Sequence, residues 1–388
     1  MKTTPFRIEV KQSDLDDLRA RIARTRWPDE PAGAGWSMGA DVSFMKRLAE
    51  HWATRYDWRA QEAAINALPQ FKATVDGTEL HFVHVRGKGP NPTPLLLIHS
   101  FPDSFHRFLK VVPMLTDPAA HGGDPARSFD VVIPSLPGFG FSAPTAMATD
   151  AMADKLAGLM AGLGYKRYIA GGGDGHVPMA LSQRHRDEVA GIYCIDVGYP
   201  DGSTDFSTLS PPEVEFAQWI QSWWMREGAF NMIQSTKPQS LAVGLNDSPL
   251  GLAAWLMILF TSGPGAAEKL DERFTLDELI TNMMIYWVSG TIGSAARSYM
   301  ENARAMYGNP GAPKPPRSDV PAAFARMPLD APVPREWAAR RVNLVQFTEM
   351  ARGGHYSSLE APEAFVEDMR AFVDKLDKLA KRPAANAR

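Results

Sequence analysis

A succession of short apolar segments restricts the fold of this chain more than any other feature. The segments cover residues 94–98, 129–133, 166–170, 189–195 and 341–347. Each is continuously apolar, and each is followed by a turn and a stretch with helical spacing. Strands that are apolar on both faces are typical of a parallel sheet with helices on each side. The sequence therefore predicts an α/β fold with a mostly parallel sheet.

The N-terminal region has a different pattern. Residues 13–27 and 42–56 place apolar side chains at helical spacing, which predicts two helices. Residues 71–85 alternate apolar and polar side chains around Asp76-Gly77, a strong signal for a β-hairpin. We therefore expect two helices and an antiparallel hairpin before the parallel sheet.

A helical region interrupts the strands. Between residues 198 and 311 the chain is rich in Trp, Met and Leu at helical spacing, which predicts a helical insertion over the sheet. The proline-rich residues 309–334 would return the chain to the core, and residues 361–379 would form a C-terminal helix. The expected organisation is an N-terminal wrapping segment and hairpin (1–90), a first part of the core (91–200), a helical cap (201–312) and a second part of the core (313–388).

Composition and charge exclude several kinds of protein. The net charge of −3 leaves no basic surplus for phosphates, so nucleic acid is not an expected partner. The single cysteine, Cys194, excludes an intrachain disulfide and a multi-thiolate metal site, and neither a metal nor a cofactor is expected. The apolar stretch 250–260 is far shorter than the roughly 18 residues that span a bilayer, and we find no secretory signal at the start. We expect a cytoplasmic protein without a membrane anchor.

Four polar segments follow predicted strands, where α/β sheets bind ligands. They are HSFP (99–102), SLPGFGFS (135–142), GGGDGH (171–176) and RGGH (352–355). In the third, Asp174 lies in a strand-to-helix turn among small residues, as in a nucleophile elbow. The alternative is that Asp174 is only a helix N-cap, a position that Asp favours.

Dinucleotide binding is a second alternative for the same turn. Gly171 and Gly173 match the first two glycines of the fingerprint, and Asp196 follows at about the right distance of ~20 residues. His176 occupies the position of the third glycine, where it would obstruct the close approach of helix and strand. Dinucleotide binding is therefore disfavoured.

An aspartate elbow implies covalent catalysis. A serine nucleophile would need a Gly-x-Ser-x-Gly elbow, and we expect none in the chain. A carboxylate that attacks an electrophilic carbon forms an ester, which water must hydrolyse with the help of a base and an orienting acid. His355 and Asp330 complete the order nucleophile, acid, base. The alternatives are that His355 is a surface residue of a Gly-rich loop and that Asp330 has no special role.

Backbone N–H groups would stabilise the oxyanion of that second step. The candidates are the N–H of Gly175, after the nucleophile, and the N–H of Phe101, in the HSFP loop. The alternative is that HSFP and SLPGFGFS are only tight turns.

Nearly the whole chain, from residue 5 to about residue 376, resembles the α/β-hydrolase-fold epoxide hydrolases of the microsomal and juvenile-hormone branch and their bacterial relatives. The matching segments are PFRIEV, LRARIARTRWPDE, SLPGFGFSAP, STKPQSLAVGLNDSPLGLAAW, TNMMIYWVSGTIGSAARSYMEN and RGGHYSSLEAPE. The resemblance implies an α/β-hydrolase fold with a helical cap insertion and a wrapping N-terminal segment. It also implies the nucleophile Asp174, the acid Asp330, the base His355 and a cap tyrosine, Tyr299, that hydrogen-bonds the epoxide oxygen.

The chain departs from that family in several places. Phe230 stands where a second cap tyrosine is expected, and Gly175 and His176 replace Trp and Gly after the nucleophile. The missing Trp disfavours haloalkane dehalogenation, since related dehalogenases use it to hold halide. In the first loop, Ser100, Phe101 and Asp103 replace Gly, Trp and Gly. The residues expected to bind substrate are His99, Pro102, His176, Phe230 and Tyr286.

The expected function is epoxide hydrolysis to a vicinal diol through an ester on Asp174. The loss of two indoles predicts a bulky or natural-product epoxide. The expected partners are this small molecule and water, with a homodimer as one option for assembly. The rival hypothesis is a ligand-binding protein, or a non-hydrolytic cyclase or isomerase, in which Asp103 or His176 changes the reaction.

Overall fold

A nine-stranded sheet lies at the centre of the computed structural model, which describes residues 1–308 and 317–381. Its strand order is β1-β2-β3-β5-β4-β6-β7-β8-β9. The strands are β1 (Thr3–Phe6), β2 (Gln70–Val75), β3 (Thr78–Val85), β4 (Thr93–Leu97), β5 (Phe129–Pro134), β6 (Tyr168–Gly171), β7 (Val189–Cys194), β8 (Pro321–Arg326) and β9 (Asn343–Glu349).

The sheet is antiparallel at one edge and parallel elsewhere. β1, β2, β3 and β5 pair antiparallel, and every pair from β5 through β4 to β9 is parallel. All six residues of β5 are buried, as expected for a strand covered by helices on both faces. The predicted mostly parallel α/β fold is confirmed, and the predicted hairpin is β2 and β3, which pair directly across Asp76-Gly77.

Helices cover both faces of the sheet and form a layer above its carboxyl edge. They are α1 (Gln12–Ala23), α2 (Val42–Thr54), α3 (Trp58–Asn66), α4 (Val112–Thr116), α5 (Thr149–Gly162), α6 (His176–Arg184), α7 (Pro211–Glu227), α8 (Ala229–Thr236), α9 (Pro238–Leu245), α10 (Pro249–Thr261), α11 (Leu270–Arg273), α12 (Leu276–Ser289), α13 (Ile292–Tyr307), α14 (Arg335–Arg341), α15 (Ser357–Glu360) and α16 (Pro362–Ala380). We call α7 to α13 the cap; it is inserted between β7 and β8.

The N-terminal helices pack against the cap. Arg21 of α1 donates to a carboxylate oxygen of Asp247 at 2.6 Å. The hydroxyl groups of Tyr56 and Thr281 lie 3.0 Å apart in the buried contact between the end of α2 and the cap helix α12. The N-terminal segment therefore helps to hold the cap in place through these contacts.

Some elements differ from the sequence expectations. β8 lies in the proline-rich stretch 309–334, which we had expected only to return the chain, and β1 was not predicted. The alanines of β8 carry no β-branched signal, but small side chains fit where a strand is covered on both faces, and Ala322, Ala323 and Ala325 are fully buried. The start of that return path (309–316) and the expected domain boundary at 312/313 lie outside the described residues.

Within the described ranges, no helix is both long enough and apolar enough to cross a bilayer.

Candidate active site

The turn between β6 and α6 carries Asp174, and three of its glycines, Gly171, Gly173 and Gly175, have no room for a side chain. A Cβ on Gly171 would lie 2.0 Å from a carbonyl oxygen of β7, and one on Gly175 would lie 1.7 Å from a carbonyl oxygen just after β7. A nucleophile elbow has its small residues two positions before and after the nucleophile. The obligatory glycines here are centred on Gly173. The elbow expected at 172–176 is therefore displaced by one residue, and Asp174 lies one position after the centre of the turn; no tryptophan fits after Asp174.

Asp174 forms a close pair with His176. Its Oδ1 accepts from the backbone N–H of His176 at 2.9 Å and from the ring Nδ1 at 2.5 Å. Burial acts to raise the pKa of Asp174, but the charge and hydrogen bonds of His176 outweigh it and hold that pKa well below its usual range. The charge of Asp174 raises the pKa of His176 to about 9. At neutral pH the two residues are therefore a carboxylate and an imidazolium.

The alternative N-cap role is only partly matched. Gly175, not Asp174, is the N-cap residue of α6, and Gly175 has no side chain to cap with. Asp174 nevertheless satisfies the first free N–H of this helix through Oδ1. The other carboxylate oxygen, Oδ2, has no hydrogen bond to any described residue, and the side chain is 30% exposed.

His355 and Asp330 come together as the sequence predicts for a base and its orienting acid. Nδ1 of His355 lies 2.9 Å from Oδ2 of Asp330, and the two loops that carry them pair through a bridge between Leu329 and Gly354. Burial lowers the pKa of His355, but the charge and hydrogen bond of Asp330 dominate, and the pKa is about 9. The charge of Asp174 adds to this increase, so Asp174 and His355 act on each other within one site.

Sequence reasoning missed Arg107, which holds the His355 loop. Its Nη2 donates to the backbone carbonyl of His355 at 2.6 Å, and its Nη1 forms a buried ion pair with Asp103. Asp103 also accepts from the backbone N–H of Ser100 at 2.8 Å. Asp103 therefore neutralises the buried guanidinium of Arg107, which positions the His355 loop. The sequence signal that could have found Arg107 is its spacing of four residues from Asp103, which directly follows HSFP.

The HSFP loop is a structural junction rather than a simple turn. Nε2 of His99 accepts from the backbone N–H of Leu136 at 3.0 Å, and Nδ1 lies 3.0 Å from the carbonyl oxygen of Ser100. The His99 side chain is fully buried, so it has no free polar atom for a ligand. The carbonyl oxygen of Pro102 accepts from Nδ2 of Asn282 in α12 at 2.9 Å, which ties the loop to the cap. The ring nitrogens of His99 and the carbonyl of Pro102 thus form structural bonds, and the substrate contacts of these two residues stay predictions.

The two predicted oxyanion donors remain available. Among the described residues, the backbone N–H groups of Phe101 and Gly175 make no hydrogen bond. Their role stays a prediction.

The two cap tyrosines have different surroundings. The ring of Tyr299 meets Phe101 and Phe230 edge to face, at 5.6 and 6.0 Å between centroids. Its hydroxyl bonds no described residue, and burial together with the charge of Asp174 raises its pKa well above the usual range. Tyr286 donates instead to the carbonyl oxygen of Asp103 at 2.8 Å. Tyr299 therefore offers a phenol without a hydrogen bond to described residues, on which the charge of Asp174 acts, whereas Tyr286 holds the first loop.

Asp174, His176 and Asp196 have ligand atoms within 4.8 Å of one another, so we considered a metal site. The Asp196 carboxylate accepts from the backbone N–H of Gly198 at 2.5 Å and from the hydroxyl of Tyr199. Asp196 and Asp174 thus accept hydrogen bonds from neighbouring residues, and we interpret the cluster as a hydrogen-bonded group rather than a metal site. Because Asp196 is turned toward these donors, it also does not fit the ribose-binding acid of a dinucleotide site.

The chain does contain a Gly-x-Ser-x-Gly pattern, contrary to the expectation, but it lies away from this site, at residues 35–39. It lies in the exposed loop before α2, and Ser37 donates to the carbonyl of Ala34 at 2.7 Å. This serine follows no strand and is no nucleophile elbow.

Comparison with known proteins agrees with this architecture. A family model described as the epoxide hydrolase N terminus matches residues 3–108, and one described as the alpha/beta hydrolase fold matches residues 93–254. Epoxide hydrolase 1 of Sus scrofa is 31% identical over 411 residues, which cover 96% of this chain and 89% of that protein.

Two solved structures are similar over almost the full length. The crystal structure of juvenile hormone epoxide hydrolase from the silkworm Bombyx mori matches with a TM-score of 0.87 and 26% identity, over 98% of this chain and 96% of that one. The epoxide hydrolase of Aspergillus niger matches with a TM-score of 0.82 and 25% identity, over 97% of both chains. With its α/β-hydrolase fold, this chain belongs to the epoxide hydrolase family, whose members are hydrolases acting on ether bonds.

Proposed function

We propose that this enzyme opens an epoxide to a vicinal diol through a covalent ester on Asp174. The observation that carries the proposal is the grouping of an ionised carboxylate, the His355–Asp330 pair and a free phenol around one site. These are the three groups that ester formation and ester hydrolysis need.

In the first step, Oδ2 of Asp174 attacks a ring carbon as the carbon–oxygen bond of the epoxide breaks. Displacement proceeds from the face opposite the leaving oxygen, so the acid must lie across the pocket from the nucleophile. Tyr299, on the cap, donates its proton to the leaving oxygen. Positioned acid catalysis of this kind contributes about 10²–10⁴-fold.

In the second step, His355 removes a proton from water, which attacks the ester carbonyl carbon. Asp330 keeps the ring in the orientation that leaves Nε2 toward the site. Collapse of the intermediate breaks the bond from the carbonyl carbon to Oδ2 and releases the diol. His355 passes the first water proton to the departing diol oxygen. The second water proton passes from the Asp174 carboxyl group to the Tyr299 phenolate, which restores the phenol.

The proposal is tested by trapping the ester in a His355→Ala variant with a panel of small and large epoxides. Without the base, we expect an adduct of one substrate mass on the peptide that contains Asp174, found by intact mass and peptide mapping. His121→Ala, at an exposed histidine, is the matched control and should turn over without an adduct. Turnover in the wild type with no adduct in His355→Ala would overturn covalent catalysis by Asp174.

We also propose a bulky or natural-product epoxide as the substrate. The phenyl ring of Phe101 is smaller than the indole that the resemblance implies at this position, which supports a larger pocket; Gly175 adds no space, because the carbonyl oxygen of Asp196 already fills it. Relative kcat/KM for a size series of epoxides tests this. If styrene oxide is turned over as fast as any larger epoxide, the proposed substrate class is wrong.

The close pair of Asp174 and His176 favours one rival, a cyclase, isomerase or ligand-binding protein of the same fold. A carboxylate tied to an imidazolium at 2.5 Å is a weaker nucleophile than a free one. Asp174→Ala separates the two functions: it should abolish diol formation under our proposal, and an unimpaired variant would favour the rival.

A further inference from the structure

We propose that His176 is a catalytic residue that stabilises the oxyanion during hydrolysis of the Asp174 ester, with its backbone N–H and its protonated ring as the two donors. The inference rests on the proposed function. It gives His176 the role that the sequence predicted for the backbone of Phe101 and Gly175.

The two oxygens of Asp174 are already distinguished by their surroundings. Oδ1 accepts both bonds from His176, at 2.9 Å from the backbone nitrogen and 2.5 Å from Nδ1, while Oδ2 is free of hydrogen bonds to described residues. The free oxygen is the one that can attack. Once Oδ2 is esterified, Oδ1 is the ester carbonyl oxygen, and it already lies within the reach of two donors.

Charge develops on this same oxygen in the second step. When water adds to the carbonyl carbon and His355 takes its proton, the carbonyl double bond opens and the electron pair moves to Oδ1. Donors aimed at an oxygen where negative charge develops lower the barrier most, and a charged donor is stronger than a neutral one. The electron pair returns as the bond to Oδ2 breaks, so His176 gives up no proton in the cycle.

The charges around His176 in the free enzyme favour its protonated ring, and among the described residues the ring nitrogen Nδ1 bonds Asp174 alone. The charges that act on it are those of Asp174 and Asp196, which favour the imidazolium, and Arg341, which opposes it. Burial and the charge of Asp174 raise the pKa of Asp196, so esterification of Asp174, which removes that charge, favours the Asp196 carboxylate beside the ring. The side chain is 54% exposed, so the ring is positioned by Asp174 itself and not by close packing.

Two substitutions separate the ring from the backbone donor. His176→Ala removes Nδ1 and keeps the backbone N–H, and His176→Asn restores a neutral N–H at nearly the same distance from the backbone. Rapid-quench mass spectrometry with excess enzyme measures ester formation and ester hydrolysis as separate rates. We expect His176→Ala to slow hydrolysis by about 10²–10³-fold, the usual cost of one oxyanion donor, so that the ester accumulates, and we expect His176→Asn to recover part of that loss.

Each outcome decides the inference. Accumulation of the ester in His176→Ala, with ester formation changed less than hydrolysis, supports it and also shows that the variant is folded. An unchanged rate of hydrolysis, or a loss confined to ester formation, overturns it. A failure of the proposed function is distinct, because no ester would then form in His355→Ala, where His176 is intact.

Discussion

At the residue scale, the geometry of the site depends on Gly175, where the surrounding backbone leaves no space for a side chain. The α carbon of Gly175 faces the carbonyl oxygen of Asp196 so closely that a Cβ would lie 1.7 Å away. The glycine therefore sets how near α6 comes to β7, and through α6 it sets where Asp174 and His176 meet. The sequence did predict a sharp turn here, but it could not show which glycines were obligatory, because that depends on contacts with another strand.

Gly175→Ala is expected to lower kcat/KM by about 10²-fold or more, since displacement of catalytic groups by about 1 Å has this effect. Gly244→Ala is the matched control, because its Cβ would have no neighbour within 4 Å. Activity that is equal in the two variants would show that the turn tolerates the shift.

Asp330→Asn tests the orientation of the base. An amide cannot stabilise the imidazolium of His355, so we expect kcat to fall by about 10²–10⁴-fold and the ester to accumulate. A kcat within a factor of about two of the wild type would exclude Asp330 as the orienting acid.

At the element scale, the cap is joined to the core by polar contacts that the sequence did not reveal. Arg273 of α11 pairs with Glu360 of α15 at 2.7 Å, with side chains 6% and 1% exposed, and it donates to the carbonyl oxygens of Phe260 and Ala266. Glu360 also accepts from the backbone N–H of Tyr356, next to His355. The pair thus links a cap helix to the loop that carries the base.

Arg273→Met should lower the free energy of unfolding by about 3–5 kcal/mol, since it leaves Glu360 buried and unpaired. Arg352→Met is the control: its pair with Glu363 is exposed on both sides, and such pairs contribute about 0–1 kcal/mol. Urea unfolding measures both. Equal losses would show that the buried pair has no special role in joining cap and core.

The elements themselves were more predictable than their contacts. Continuous apolar runs gave β4, β5, β6, β7 and β9, and the Asp76-Gly77 pattern gave the β2–β3 hairpin, because these signals are local. β8 was missed because its alanines carry no strand signal by themselves. The pairing of Asp330 with His355 could be predicted from the chain order of nucleophile, acid and base, whereas Arg107 could not, because its role depends on a hydrogen bond to the distant His355 loop.

At the scale of the whole molecule, the site must balance an ionised nucleophile against a base that the same negative charges keep protonated. Asp174 and Asp330 both raise the pKa of His355, to about 9 in the free enzyme. Esterification neutralises Asp174 and removes one of these charges, so the pKa of His355 falls when its base form is needed. The order of the two chemical steps is thereby coupled to the charge of the site.

The rate of ester hydrolysis should therefore rise with pH between the ordinary histidine value of 6.5 and about 9, because the neutral form of His355 increases over this range. Ester formation should change little, because Asp174 is ionised throughout. Single-turnover rates over this range check both statements. A rate of hydrolysis independent of pH would contradict the assignment of His355 as the base.

Stability should change in the opposite direction. A histidine whose pKa is raised on folding contributes stability that is fully present below its unfolded pKa and is lost as pH rises through its folded pKa. The His355–Asp330 pair thus stabilises the fold at pH 6.5 and loses this contribution by about pH 9. Unfolding at several pH values should show a smaller decline in Asp330→Asn than in the wild type, and an equal decline would refute this contribution.

The central claim is that water attacks an ester on Asp174 and not the epoxide itself. A single turnover of the wild-type enzyme, in excess over substrate and in H₂¹⁸O, tests it without any substitution. We predict a diol that contains no ¹⁸O after the first turnover and one ¹⁸O atom in the Asp174 carboxylate, located by peptide mass mapping. A diol labelled in the first turnover, with an unlabelled Asp174, would contradict the covalent mechanism.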